Sequence, residues 1–311
     1  MSAPRASTIA ACASSLLLIL AGPAAADDGA VLMAELHRVQ AGENLLDLAR
    51  SSDVGYVELL AANPGADPWL PRAGGEILLP TSHLSPPGLD RAPLVINLGD
   101  MRLYWRGPDG TVDSFPVGIG QDGRSLEPTL TRVVGKRHNP VWVPPPSIRA
   151  EKPDLPERVL PGPDNPLGEY SLDLALGLVR IHGTNLPDGV GRRVSHGCLR
   201  LYPEDIAKLY PQIAMGTPVL IVDEPVKLAW LDGELWLEIH PTPAMADSIE
   251  ARRPAEPPPV TDLEARITAL AGEQAPRVDW KMVGWTESHR LGIPVRITRP
   301  LAGEPLALKP E

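Results

Sequence analysis

Cys198 stands in the run Ser195-His196-Gly197-Cys198-Leu199-Arg200, and His182-Gly183-Thr184 lies upstream of it. The chain has two cysteines, and the other, Cys12, falls in an N-terminal segment that reads as removable. The mature chain is therefore expected to carry one thiol. Such a leftover cysteine in an exported protein is either a reactive group or an intermolecular pairing site. The thiolate, not the thiol, attacks a carbonyl carbon. A free cysteine has a pKa of roughly 8.5, so attack at neutral pH needs a nearby base or positive group. His196 lies two residues before Cys198, which on an extended strand puts both on one face. His182 closes a second predicted strand, which can pair beside the first and reach across about 5 Å. Gly183 and Gly197 allow close backbone approach. The N–H groups of Gly197 and Cys198 can then hold a developing oxyanion.

Taken singly, each residue has a plainer reading. A lone strand cysteine can be an inert buried residue, and a lone histidine a structural hydrogen-bond partner. A His/His/Cys cluster can also be a metal site, but the paired Cys-x-x-Cys spacing is missing and no fourth ligand is evident. The combination, with a glycine after each histidine, favours a cysteine nucleophile served by a histidine base.

Around this group the chain must supply a scaffold. Residues 1–26 read as a secretory signal: Arg5 gives a positive start, 9–20 is an apolar run, and Ala24-Ala25-Ala26 offers a cleavage site before Asp27. The run falls short of the ~20 apolar residues of a bilayer span, and no later stretch reads as a transmembrane helix. Ile9-Ala10-Ala11-Cys12 looks like an acylation site, but the main apolar stretch follows that cysteine, so a soluble exported protein is favoured. A net charge of −10 argues against a nucleic-acid partner. Seven Trp, one Phe and 37 Pro suggest a mainly-β, loop-rich chain with few long helices.

Residues 36–80 read as strand, helix, helix, strand. Leu45, Leu48 and Ala49, then Val57, Leu60 and Ala61, recur at helical spacing, and Asn63-Pro64-Gly65 stops the second helix. Residues 81–92 read as a linker. Short strands are predicted at 94–97, 101–105, 112–119 and 131–136. A proline-rich excursion over 144–166 is too long for an ordinary connection and is expected to form a site wall or lid. Strands at 170–178 and 178–182, a helix at 203–210 and a buried strand at 217–222 follow. A hairpin is predicted over 226–240, turning at Asp232-Gly233. In the tail, 244–311, residues 261–264 carry a capping-box signal for a helix to about Ala271. Residues 277–298 read as two short strands. The tail is expected to pack on the central domain and suggests no function.

The stretch 36–80 resembles a LysM peptidoglycan-binding module, an α+β (βααβ) fold. The resemblance rests on residues 37–45, Leu48-Ala49, Ala62-Asn63-Pro64, Asp67-Pro68-Trp69 and 71–80, with Glu43-Asn44 in place of the usual Asp-Thr. His182-Gly183, the spacer and Ser195-His196-Gly197-Cys198-Leu199-Arg200 resemble the signature of the L,D-transpeptidase (YkuD) family, over residues 93–223. Together with Asn165-Pro166-Leu167-Gly168 and Arg192-Arg193-Val194-Ser195, the chain is similar to the periplasmic Gram-negative branch. The resemblance implies a β-sandwich catalytic domain with a short helix, extended by the hairpin at 224–243. It implies Cys198 as nucleophile and His182 as the group that takes its proton and protonates the leaving D-Ala. The Gly183 carbonyl would orient His182. Gly197, Ser195 and His196 would support the oxyanion and the loop, and Arg200 and Thr184 would meet substrate. The donor implied is a tetrapeptide stem of peptidoglycan, cleaved after its diaminopimelate. The acceptor implied is a second diaminopimelate amine, or the terminal lysine of an outer-membrane lipoprotein. No metal or organic cofactor is implied, and carbapenem-type β-lactams are expected to acylate Cys198. The same residues admit an L,D-carboxypeptidase or hydrolase, or a wall-binding scaffold whose site is idle; a primed thiol is expected to show a depressed pKa. One departure is Glu127-Pro128-Thr129-Leu130, which stands where the family often has Thr-Pro-x-Gly. Leucine does not readily take the left-handed conformation, so an altered turn is expected.

Overall fold

The computed structural model describes residues 17–19 and 31–299. The expected signal segment, 1–26, lies outside the described residues except for Leu17–Ile19, which pairs with Val31–Met33. Cys12 also lies outside them.

The largest sheet has eight strands. In spatial order they are Leu199–Arg200, Arg180–His182, Tyr170–Leu174, Thr129–His138, Pro218–Val222, Leu94–Asn97, Arg102–Arg106 and Val112–Pro116. Leu94–Asn97 is buried at every position because both faces of the sheet are covered there. Leu94, Ile96, Leu103, Phe115, Leu172, Ile181 and Leu199 share one core with Ile206 and Leu209 of the helix Pro203–Leu209. On the other face Val95, Tyr104 and Leu220 pack against Leu89 and Ala92. Residues 81–92 are therefore a packed cover, not the free linker expected; Leu84, Leu89 and Ala92 are all buried.

The edges of this sheet return to each other. Gly118 and Arg200 exchange N–H···O bonds of 2.8 and 2.9 Å, and Ile119–Gly120 pairs in parallel with Arg193–Ser195. The mainly-β expectation holds, and the strands form one curled sheet, the natural outcome of right-handed twist accumulated over many strands.

Glu35–Arg38 and Glu76–Leu79 pair antiparallel, and the helices Leu45–Ser51 and Tyr56–Ala62 lie between them in sequence. Asn44 Oδ1 accepts the N–H groups of Leu46 and Asp47 at 3.0 and 2.9 Å, so this asparagine caps the first helix. Asn63 fastens the second helix to the closing strand: its amide donates to Leu78 O and accepts from Leu78 N–H, both at 2.8 Å.

The tail departs from expectation. Residues 277–298 form one helix, Trp280–His289, and a single short strand, Val295–Arg296. Asp279 caps that helix, and Met282, Val283 and Thr286 are buried along one side of it. The aromatic content of this segment mimics a strand, but the cap and the 3.6-residue period decide. The capping box at 261–264 does not form; Asp262 takes φ 57 and makes no side-chain cap, yet the helix Leu263–Ala271 follows. These elements enclose a second core with the hairpin Val226–Leu231 and Glu234–Ile239 and with Leu32, apart from the eight-stranded sheet. Helix Pro243–Glu250 reaches the central domain, where Glu250 and Asp247 pair with Arg192 and Arg193.

A buried charge network welds these parts together. Lys227 Nζ lies 2.9 Å from Asp100 and 2.7 Å from Glu238, and these side chains are at most 1% exposed. Glu238 also contacts His83 and His240, and Glu58 joins His83 to Arg102 at 3.0 and 2.9 Å. Burial opposes charge on His83 and Arg102 repels it, but Glu58 and Glu238 hold its pKa above the ordinary value. Removing one member strands the others without water. Lys227→Ala is expected to lower stability by about 3–5 kcal/mol, read as a fall in the urea midpoint at unchanged slope.

Candidate active site

The strand Arg180–His182 runs parallel to Leu199–Arg200, with Ile181 opposite Leu199 and His182 opposite Arg200. Cys198 immediately precedes Leu199, so this register sets it beside the end of the histidine-bearing strand. The Arg180 backbone N–H is directed at its sulfur, and Sγ donates to Leu178 O at 3.6 Å. Cys198 is half-buried, whereas His182 is 4% exposed. His182 Nδ1–H donates to Gly183 O at 2.5 Å, which leaves the lone pair on Nε2.

Burial lowers the His182 pKa to about 4 against the raising effect of the Gly183 bond, and Arg200 and Arg180 push it the same way as burial. Burial raises the Cys198 pKa, partly offset by Arg180 and Arg200. The depressed thiol pKa expected of a primed nucleophile is thus not what the site provides. Burial disfavours both charged forms, so the resting pair is neutral thiol and neutral imidazole. Such a pair reacts by general-base transfer as the carbonyl is attacked, not from a stored thiolate.

The extended run expected through His196 and Cys198 is broken. Arg193–Ser195 ends before it, and Gly197 takes φ +101. Ser195 Oγ accepts from Gly197 N–H at 3.1 Å and donates to Cys198 O at 2.6 Å, closing a side-chain-stapled turn. A Cβ on Gly197 would also lie 3.3 Å from Arg124 O. Because Ser195 occupies the Gly197 N–H, the Cys198 N–H is left as the candidate oxyanion donor. His196 bonds Glu151 Oε2 at 2.8 Å instead of facing the thiol. Thr184, expected at the substrate, is 5% exposed, and its hydroxyl accepts from Leu186 N–H at 3.0 Å. It shapes the turn after Gly183. Among the described residues Arg200 has no carboxylate within ion-pair distance, which leaves its guanidinium for a ligand.

Sequence reasoning missed Arg180 and Glu151. Arg180 stands two residues before His182 on one strand, a spacing that could have flagged it. Asp173 Oδ1 holds its Nε at 2.8 Å, while Asp173 Oδ2 holds Arg137. Glu151 lies far from the signature in sequence and gives no local signal. The anticipated strain at Leu130 is absent, since Leu130 pairs with Leu220 inside Thr129–His138. The left-handed residue of the nearby turn is Gly123, at φ +70.

The proline-rich excursion forms a flap over residues 139–168. Trp142 and Val159 exchange N–H···O bonds of 2.9 and 2.8 Å. Asn165, fully buried, donates to Pro140 O at 2.7 Å and accepts from Leu167 N–H at 2.9 Å, pinning the flap at its base. That base abuts the turn after the histidine, because a Cβ on Gly168 would come within 2.8 Å of Thr184 N.

Elsewhere, His83, Glu238 and His240 bring possible ligand atoms within 4.8 Å of one another. The Lys227 ammonium, 2.7 Å from Glu238, already supplies the cation there, so this donor set does not fit a metal ion.

Residues 92–221 match the YkuD family, the L,D-transpeptidase catalytic domain. The chain is 39% identical over 252 residues to the probable L,D-transpeptidase ErfK/SrfK of Escherichia coli K12, covering 78% of this chain and 79% of the relative. It is 36% identical over 268 residues to the probable L,D-transpeptidase YcfS of the same strain, covering 83% and 81%. A crystal structure of an L,D-transpeptidase from Mycobacterium tuberculosis H37Rv aligns with 42% of this chain and 57% of its own, at 16% identity and a TM-score of 0.33.

Proposed function

This chain belongs to the YkuD family of L,D-transpeptidases and is a peptidoglycan L,D-transpeptidase, and we propose that it works through an acyl-enzyme on Cys198. The observation that carries this reading is the His182 Nδ1–Gly183 O bond beside the strand that follows Cys198. It presents Nε2 as a base of fixed tautomer. Stem-peptide carbonyl carbon approaches Sγ, and Nε2 takes the thiol proton as the S–C bond forms. The Cys198 N–H stabilises the oxyanion. The imidazolium then gives its proton to the leaving D-Ala amine as the C–N bond breaks. An incoming amine attacks the thioester, His182 accepts the amine proton, and the thiol leaves reprotonated. Arg200 receives a substrate carboxylate, a task suited to its planar fork.

The acceptor is a diaminopimelate amine or a lipoprotein lysine, and the site acts after export to the periplasm. Mixing the mature protein with tetrapeptide muropeptides, a diaminopimelate stem and a lipoprotein C-terminal peptide should give D-Ala and one amide product, resolved by mass. Free tripeptide as the main product would make the enzyme a carboxypeptidase instead.

Residues 36–80 serve as a LysM-type glycan-binding module. Support comes from the strand–helix–helix–strand order and from Trp69 and Leu70, which are 63% and 75% exposed. Deleting this unit is a poor test, because Arg102 would lose its buried partner Glu58. Trp69→Ala is the sharper one. Sacculus binding is expected to weaken by about tenfold, for the loss of one stacking aromatic, with turnover of soluble muropeptides unchanged. Unchanged pelleting with sacculi would remove the module from the binding role.

A further inference from the structure

The tip of the flap meets the nucleophile turn through one carboxylate. Glu151 ends the helix Pro146–Glu151. Its Oε2 accepts from His196 Nε2 at 2.8 Å, and its Oε1 accepts from Arg124 Nη2 at 2.7 Å. His196 is two residues from the thiol. Arg124 closes the turn at 121–124, whose backbone lies against Gly197 and whose Gln121 N–H bonds Ser195 O at 3.0 Å. Glu151 thus grips both walls of the Gly197 turn.

The two ends of the flap are held differently. At the base, buried Asn165 makes bonds that water cannot replace. At the tip, the Glu151 and Arg124 side chains are 43% and 34% exposed, and His196 is 23% exposed. Ion pairs that wet contribute little and exchange readily with solvent. The flap also carries apolar surface that nothing covers in the free chain: Val141, Val143 and Leu160 are 47%, 59% and 63% exposed.

We propose that Glu151 is a positioning residue that latches the flap onto the Cys198 turn, opening to admit the stem peptide and closing to retain it. This rests on the acyl-enzyme reading above. Glu151→Gln and Glu151→Ala are to be compared with the parent by donor kinetics and by alkylation of Cys198 with iodoacetamide and with a bulky maleimide. Loss of two exposed ion pairs is expected to raise donor KM about three- to tenfold with kcat within about twofold. The bulky reagent should react faster by a similar factor, and the small one at nearly the parent rate. Equal melting temperatures establish that the variants fold. A fall in kcat at constant KM, or an unchanged bulky-to-small ratio, overturns the latch. A parent protein that labels normally but releases no D-Ala would sink the acyl-enzyme reading instead, with the labelling ratio still deciding the latch.

Discussion

Cys198→Ala protein is expected to release no D-Ala from tetrapeptide stems and to form no carbapenem adduct, a loss of at least about 10⁴-fold. The size follows from the role: without a nucleophile the two-step route closes, and removing a nucleophile costs about as much as removing a whole catalytic group set. The fold should be unaffected. The side chain is half-buried and holds Leu178 O only through a weak 3.6 Å contact, so a methyl group leaves little behind. Cys198→Ser tests the same point more gently, since it keeps the shape but substitutes a poorer nucleophile, and should retain at most a trace of turnover. Intact-mass spectra of the parent should show a single adduct, located to Cys198 by peptide mapping. D-Ala release by the alanine variant would remove the thiol from the chemistry.

The nucleophile and base were legible because their elements are local: a short strand, a glycine and a titratable side chain repeated twice. The strand Leu94–Asn97 was legible from its apolar run Leu94-Val95-Ile96. His196 was placed beside Cys198 by strand periodicity, but Ser195 Oγ competes with the ladder and folds the backbone back on itself. Leu130 was assigned a turn that the chain makes at Gly123. Residues 277–298 were read as two short strands, and the Asp279 cap that starts the helix Trp280–His289 was passed over. Long-range partners carried no sequence signal. The Glu151–His196 bond and the Glu58–Arg102 pair join segments far apart in the chain.

Replacing His182 by glutamine is expected to lower kcat by about 10²–10⁴-fold and to change the pH profile as well as the rate. In the parent enzyme, activity needs an unprotonated Nε2. Burial sets that pKa at about 4, so kcat/KM for a small donor should fall on acidification with a midpoint near 4, well below the ordinary histidine value. The thiol is raised by burial, so the plateau should run from about pH 5 without an alkaline break at the usual thiol pKa. The two shifts are opposite in direction and share one cause: the site excludes charge, and the proton moves only within the closed pair. Glutamine preserves volume and can still donate to Gly183 O, but it cannot accept the thiol proton. The acid limb should vanish, and the residual rate should climb with pH as solvent hydroxide does the work of the base. The gap between parent and variant therefore narrows toward high pH. Alkylation of the free parent with iodoacetamide gives an independent check, because a neutral resting thiol reacts slowly at pH 6. Fast labelling at pH 6, or a parent acid limb centred between 6 and 7, would mean that a thiolate–imidazolium pair is already formed and that burial does not govern this site.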